Sequence, residues 1–282
     1  DLAVVSGMSS ESVRAGEAPC AGGPLLRLPD AGTLRQVFHL KYGPEAQLGW
    51  GPRLRREHGY STPDDVYEAL LAGTCVAGLR WLDIGCGRDL CPSNPALARL
   101  LAGRVAHLAG LDPDATLDEN PYVHEKVKRS IDGYDGGGRF DLVTLRMVAE
   151  HIDQPEACAQ AMAAALAPGG LAIVYTVFGL SPMPLLTRLA PMSLRHKIKH
   201  LLWRTDEKDT FPTRFRMNTR GRLRRLFAGV GLREEAFLRL DDCRTFSRFR
   251  WLLQWELRLR GLCRTVGVPY PEHCILGAYR KG

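Results

Sequence analysis

Between residues 79 and 178 the chain alternates short, almost wholly apolar runs with longer stretches of helical period. Trp81-Leu82-Asp83-Ile84, Val105 to Leu111, Phe140 to Leu145 and Leu171 to Val177 are too short for helices and lack a polar face. Apolar residues on consecutive positions fit strands buried on both sides. Strands alternating with helices predict a parallel sheet with right-handed crossovers and helices on both faces. Upstream, helices are expected over 31–42 and 63–73. The second opens on Thr62-Pro63-Asp64-Asp65, with a capping residue followed by proline at the first helical position. Between them, Leu48-Gly49-Trp50-Gly51-Pro52 reads as a loop, with Trp50 a candidate for the rim of a substrate site. Downstream, 184–204 predicts a basic amphipathic helix broken at Pro191, and Asn218 is placed to cap a helix running to Gly229. Leu232 to Leu240 and Ile275 to Tyr279 read as the last strands. Residues 245–264 predict a long helix with Phe246, Phe249, Trp251, Leu252, Trp255 and Leu259 on its apolar side.

The strand at 81–84 runs directly into Gly85-Cys86-Gly87. Such a turn lets the backbone approach a ligand that a Cβ would push away. Ligands of open α/β sheets sit beyond the carboxyl ends of the strands, which is where this turn falls. A dinucleotide fingerprint would carry a third glycine where the chain has Leu90, and no Gly-Lys-Ser/Thr is present to cradle phosphates. Asp83, just before the glycines, suits a cationic or amino-bearing ligand instead. A second strand ends in an acid, Asp112, about one βαβ step downstream. The Phe140–Leu145 strand is followed by Ala149-Glu150-His151-Ile152. Leu166-Ala167-Pro168-Gly169-Gly170 precedes the apolar run from Leu171.

In this order and spacing, these four elements resemble class I S-adenosylmethionine-dependent methyltransferases of the type 11-like group across roughly residues 79–178. The resemblance implies a Rossmann-like, seven-stranded, mostly parallel sheet, with an N-terminal helical extension and a helical lid inserted before the last strands. It implies S-adenosyl-L-methionine as cofactor. Asp83, Gly85, Cys86 and Gly87 would line its methionine and ribose side, Asp112 would hold the ribose hydroxyls, and Pro113 would flank the adenine. Ser130 and Ile131 stand where the family contacts the adenine edge, although the family's usual acid is Ser here. Asp89 replaces the third glycine of the first motif. Arg146 is a candidate for the methionine carboxylate or for an acidic group of the substrate, and equally for a surface ion pair.

Composition narrows the function without deciding it. Residues 181–282 carry 22 Lys and Arg against 9 Asp and Glu, whereas the first 180 are net acidic. The basic half leaves open nucleic acid, a lipid or peripheral membrane contact through 184–204, and an acidic small molecule. Arginines on amphipathic helices are by default a solvated face, and no Asn/Asp-Pro-Pro-Tyr follows the Phe140–Leu145 strand to grip an extruded base. A small-molecule acceptor is therefore the first expectation. The eight cysteines include no Cys-x-x-Cys pair, so no metal is expected. No run reaches the roughly 18 apolar residues of a membrane span, and the start lacks a signal-peptide pattern, so a cytoplasmic protein is expected. The expected organisation is a flexible tail at 1–30, a helical cap at 31–78, the cofactor-binding core at 79–180, a basic lid at 181–217 and the end of the fold at 218–282.

The activity expected from the resemblance is methyl transfer to an oxygen or nitrogen of a small molecule, acidic or a secondary metabolite. The alternatives are an RNA or lipid methyltransferase using the basic half, and a cofactor-binding scaffold without turnover. His151 is the candidate general base and Glu150 a second candidate, each open to a purely structural role. Phe211, Arg214 and Arg216, in an aromatic and basic segment too irregular for a helix, are candidates for contact with the acceptor.

Overall fold

The structure, a computed structural model, describes residues 8–10, 23–189 and 213–282. Its centre is one sheet. In chain order the strands are β1 (Met8–Ser10), β2 (Arg80–Ile84), β3 (His107–Leu111), β4 (Glu125–Val127), β5 (Phe140–Arg146), β6 (Leu166–Val177), β7 (Leu232–Asp241) and β8 (His273–Lys281). They are arranged β1-β7-β8-β6-β5-β2-β3-β4. The run β4-β3-β2-β5-β6 is parallel, while β8 lies antiparallel between β6 and β7. This is the expected Rossmann-like, mostly parallel sheet, with one addition. Met8–Ser10, assigned from sequence to a flexible tail, pair antiparallel with Leu238–Leu240 as an eighth strand. The end of the same tail is also tied down. Leu26 and Leu28 pack on the core, and Arg280 donates to the Pro24 carbonyl at 3.0 Å.

Strand side chains alternate between two cores. Trp81, Leu108, Leu142, Ile173 and Tyr175 face the helices α1 (Ala31–Tyr42), α3 (Pro63–Thr74) and α4 (Pro95–Arg104). Leu82, Ala109, Val143, Ala172 and Val174 face α5 (Pro155–Ala165) and α7 (Arg220–Ala228). Both faces are covered, which is why the strands read as unbroken apolar runs. α3 starts as its sequence requires. Thr62 accepts from the Asp65 amide at 3.2 Å, and Asp65 answers from the Thr62 amide at 2.9 Å. α6 (Pro182–Leu189) opens the basic half, and most of the expected 184–204 helix lies outside the described residues.

Further expectations need correction. Thr219, not Asn218, caps α7, and the Asn218 amide instead donates to Thr176 Oγ1 (2.8 Å) and to the Val177 carbonyl (3.0 Å). The long helix α8 (Arg250–Thr265), carried between β7 and β8, faces the other way from its richest apolar stripe. It buries Leu253, Glu256, Leu257 and Arg260 against Leu54 of α2 (Trp50–Glu57), Tyr60 and Tyr270, and leaves Trp251, Trp255 and Leu259 exposed. Polar partners explain the choice. Arg260 pairs with Asp241 at 2.9 Å, and Glu256 accepts from the Tyr270 hydroxyl at 3.3 Å.

Candidate active site at the strand ends

At the end of β2 the chain turns through two left-handed glycines, Gly85 (φ +69°) and Gly87 (φ +48°). Gly85 donates to the Leu111 carbonyl at 2.7 Å, and a Cβ there would fall 2.2 Å from Val148 Cγ2. No other residue meets both the dihedral and the close approach. Gly87 donates to Asp112 Oδ2 at 2.9 Å, while the Asp114 amide reaches Asp112 Oδ1 at 2.8 Å. The half-buried Asp112 carboxylate is thus fixed by two backbone donors, and lone pairs remain on each oxygen. Asn120 braces the same turn, donating to the Gly87 carbonyl at 2.9 Å and accepting from the Tyr122 amide at 3.0 Å. Cys86 turns inward against Gly110 of β3, where a Cβ would meet its sulfur at 2.6 Å. Its thiol is a packing group, with burial pushing its pKa up.

Asp83 lies beneath the turn, 4% exposed. Its Oδ1 accepts from Thr144 Oγ1 at 2.6 Å, and Thr144 Oγ1 in turn accepts from Trp81 Nε1 at 2.7 Å. Burial raises the Asp83 pKa to about 7, which the Thr144 hydroxyl and the Arg146 charge only partly oppose. Arg146 ends β5 with a guanidinium nitrogen 3.9 Å from Asp64 Oδ1. Asp64, at the start of α3, also accepts from the Tyr175 hydroxyl at 2.9 Å and pairs with Arg244, whose other edge forks onto Asp242 (2.6 and 2.7 Å). Burial alone would raise the Asp64 pKa, but the Arg244 and Arg146 guanidiniums hold it below the usual carboxylate value. Arg146 is therefore built into a charged cluster linking α3, β5, β6 and the β7–β8 connection.

After β5 the chain passes through Met147, itself left-handed at φ +52° and bonded to the Tyr175 carbonyl at 2.7 Å. Such a dihedral costs a non-glycine residue about 1 kcal/mol. It aims Val148 at Gly85, and the His151 amide closes the loop by donating to the Val148 carbonyl at 2.9 Å. Glu150 is buried and accepts from Thr176 Oγ1 at 2.7 Å, while its carbonyl takes the Arg214 and Phe215 amides at 2.6 and 3.1 Å. Arg214 and Arg216 both reach Asp153 (3.4 and 3.1 Å), so the 213–218 segment is brought beside the His151 loop.

The remaining candidates are dispersed. Pro113 is exposed just past β3, and Ser130 is exposed and bonded to Asp132 at 3.4 Å. The Ile131 side chain belongs to the α5-side core. Trp50 starts α2 and lines a cleft of about 160 Å³ with Arg53 and Arg250, so it packs beside α8. Phe211 lies outside the described residues. A larger cleft of about 700 Å³ opens beside the α2–α3 turn, lined by Phe38, His39, Arg56, Tyr60 and Ser61 among others. Among the described residues no group of three or more His, Cys, Asp or Glu side chains is arranged to hold a metal. None of the described helices is long and apolar enough to cross a membrane.

Sequence reasoning missed Asp64, Thr144 and Arg244. Thr144 could have been found, as a polar residue inside an apolar strand run. Arg244 carries no local signal, because its partner Asp64 is 180 positions away.

The family model of a methyltransferase domain matches residues 55–235, from within α2 to within β7. The chain belongs to the methyltransferase-domain family. The chain is similar to the ubiquinone biosynthesis O-methyltransferase of Bradyrhizobium sp. (strain ORS 278), 37% identical over 111 residues. The match covers 36% of this chain and 42% of that protein. The protein of the same description from Rhodopseudomonas palustris (strain BisB18) is 32% identical over 111 residues, covering 36% and 41%. The chain thus spans about two fifths of the length of these curated relatives. Among solved structures it is similar to an S-adenosylmethionine-dependent methyltransferase from Mesorhizobium loti, at 16% identity and TM-score 0.47, covering 73% of this chain and 93% of that one. The N-methyltransferase NodS from Bradyrhizobium japonicum is similar at 14% identity and TM-score 0.44, covering 82% and 97%.

Proposed function

We propose that this chain is a cytoplasmic S-adenosylmethionine-dependent methyltransferase acting on a small molecule. The observation that carries the reading is Asp112, a carboxylate fixed by the Gly87 and Asp114 amides at the end of β3 with acceptor capacity left on both oxygens. A ribose diol supplies two hydroxyl donors of matching spacing. Asp83 fits the same ligand, because a buried acid with its pKa near 7 gains most from a cationic neighbour such as the ammonium of a methionine moiety. Both carboxylates lie beside the glycine turn, so these residues suit the cofactor.

When bound, S-adenosylmethionine supplies a methyl carbon made electrophilic by its sulfonium, with a neutral leaving group. The chain's own part is then to position the acceptor and exclude water. Gly85, Cys86 and Gly87 bring backbone close to the cofactor, Arg146 faces its carboxylate, and the exposed Pro113 and Ser130 border the adenine, whereas the Ile131 side chain is taken up by the core. The His151 imidazole takes the proton from an acceptor hydroxyl. Glu150, already engaged by Thr176, holds the His151 loop against β6 and is a positioning residue. Arg214 and Arg216 stand beside that loop and suit an acidic group on the acceptor. The description of the curated relatives as O-methyltransferases favours oxygen over nitrogen.

Calorimetric titration with S-adenosylhomocysteine, with NAD as control, tests this. Micromolar binding of the first alone is expected, with Asp112→Ala weakening it by about tenfold or more through loss of charge-assisted hydrogen bonds. Equal affinity in wild type and Asp112→Ala would remove the ribose assignment. Binding without turnover on any hydroxylated or amino acceptor would favour a scaffold.

A further inference from the structure

α8 presents two different faces. The inner one buries Leu253, Leu257 and the paired Arg260 and Glu256, as described above. The outer one carries Trp251 (64% exposed), Trp255 (64%), Leu259 (49%) and Leu262 (60%), continued by the C-cap residue Val266 (61%). At 100° per residue these five positions fall within one narrow stripe running the length of the helix. Soluble surfaces rarely expose a continuous stripe of this kind without a partner for it.

Charge identifies the partner. Glu256 is the only acid in α8, and it is buried on the inner face. Arg258 is exposed at the edge of the stripe, and Arg250 and Arg264 are exposed at the two ends of the helix. The Arg258 guanidinium lies 5.9 Å from the Trp255 ring centroid. Trp50 of α2, 43% exposed, lines a cleft with Arg250 at the same end of the helix. Tryptophan and leucine on one face with arginines at its margins is the composition of a helix lying in a membrane interface, where indoles sit at headgroup depth and arginines meet anionic lipid.

We propose that the outer face of α8 docks on an anionic phospholipid surface. Topology gives the contact a consequence. β7 runs parallel to β6, so the connection carrying α8 leaves the sheet at the end where β2, β3 and β5 finish. The docked helix would then lie at the same end of the sheet as the glycine turn and Asp112, favouring an acceptor that partitions into lipid. The surface contact itself does not depend on the methyl-transfer reading.

The test is flotation of the full chain with vesicles of phosphatidylcholine alone and of phosphatidylcholine containing about a third phosphatidylglycerol. Wild type should float with the anionic vesicles only and be released by about 0.5 M salt. The triple variant Trp251→Ser, Trp255→Ser, Leu262→Ser keeps every charge and alters only exposed side chains. It should lose about tenfold or more of the binding while keeping the wild-type thermal midpoint and S-adenosylhomocysteine affinity. Absence of wild-type flotation overturns the proposal. So does undiminished binding by the triple variant, which would place the lipid contact elsewhere in the basic half. A wild-type dimer by light scattering that becomes monomeric in the triple variant would assign the stripe to a second copy of the chain, and overturns it as well.

Discussion

Under the proposed function, Asp83 combines a structural cost with a role in binding. Its carboxyl is held by Thr144, which is held by Trp81, so the side chain is fixed before any ligand arrives. Tyr67 and Arg146 border the same site, and Asp112 adds a like charge nearby. With the pKa raised to about 7 by burial, much of the population is protonated at neutral pH. A ligand ammonium prefers the ionised form, so binding must expel that proton below the shifted pKa. S-adenosylhomocysteine affinity should therefore rise as pH goes from 5.5 to 8 and level off above about 7.5. Calorimetry at pH 6.5 in two buffers of different ionisation enthalpy should register net proton release. Asp83→Asn should bind more weakly at pH 8 and show neither trend. A pH-independent wild-type affinity would remove Asp83 from the ligand's surroundings.

At the scale of elements, α1 is held to α3 by Lys41, whose ammonium lies 2.8 Å from Asp65 and 3.3 Å from Glu68, all three side chains at most 4% exposed. Asp65 is also the returning partner of the α3 capping box, and Glu68 accepts from Asn94 at the start of α4. Lys41→Met would leave two buried carboxylates without their cation and should cost about 3–5 kcal/mol. Denaturant unfolding of Lys41→Met, with Lys41→Met/Glu68→Gln recovering part of the loss, checks the coupling; a loss under about 1 kcal/mol would class the cluster with ordinary surface pairs. The boundaries of α1 and α3 were legible in the sequence because their caps are local: Asp30 bonds Thr33, and Thr62 bonds Asp65. The strands were legible because both faces of the sheet are covered. The glycine turn was legible because its dihedrals demand glycine, and family resemblance supplied the cofactor reading of Asp112. The facing of α8 was not legible. The stripe with the most apolar residues is the outer one, and the inner one is chosen by Asp241 and Tyr270, which pair its charges from outside the helix. Nor was the Asp64–Arg244 contact legible, since only the fold joins α3 to the β7–β8 connection.

Across the whole molecule, burial of acids sets how stability depends on pH. Asp83, Glu256 and Glu272 each have a pKa raised to about 7, burial being the leading cause for all three. Unfolded, these groups ionise near pH 4, so between about pH 5 and 7 the folded chain binds protons that the unfolded chain has lost. Stability conferred by that uptake is present at the acid end and is lost as pH rises through 7. His273 opposes it. Burial, aided by Arg239, lowers its pKa to about 4, so up to about pH 6.5 folding releases a proton from it. Asp64, Glu125 and Asp141 have lowered pKa values and are ionised in both states above about pH 5, so they add no slope there. Three carboxyls outweigh one imidazole. The thermal midpoint of the ligand-free protein should therefore fall from pH 5.5 to 8, and Glu256→Gln should flatten the decline without touching the glycine turn. Saturating S-adenosylhomocysteine should flatten it too, through Asp83 alone, because a bound ammonium favours the ionised carboxylate that the empty fold disfavours. A midpoint that rises over this range would mean that the three buried acids are ionised in the folded chain. The expected pH dependence of ligand binding at Asp83 would then be lost with it.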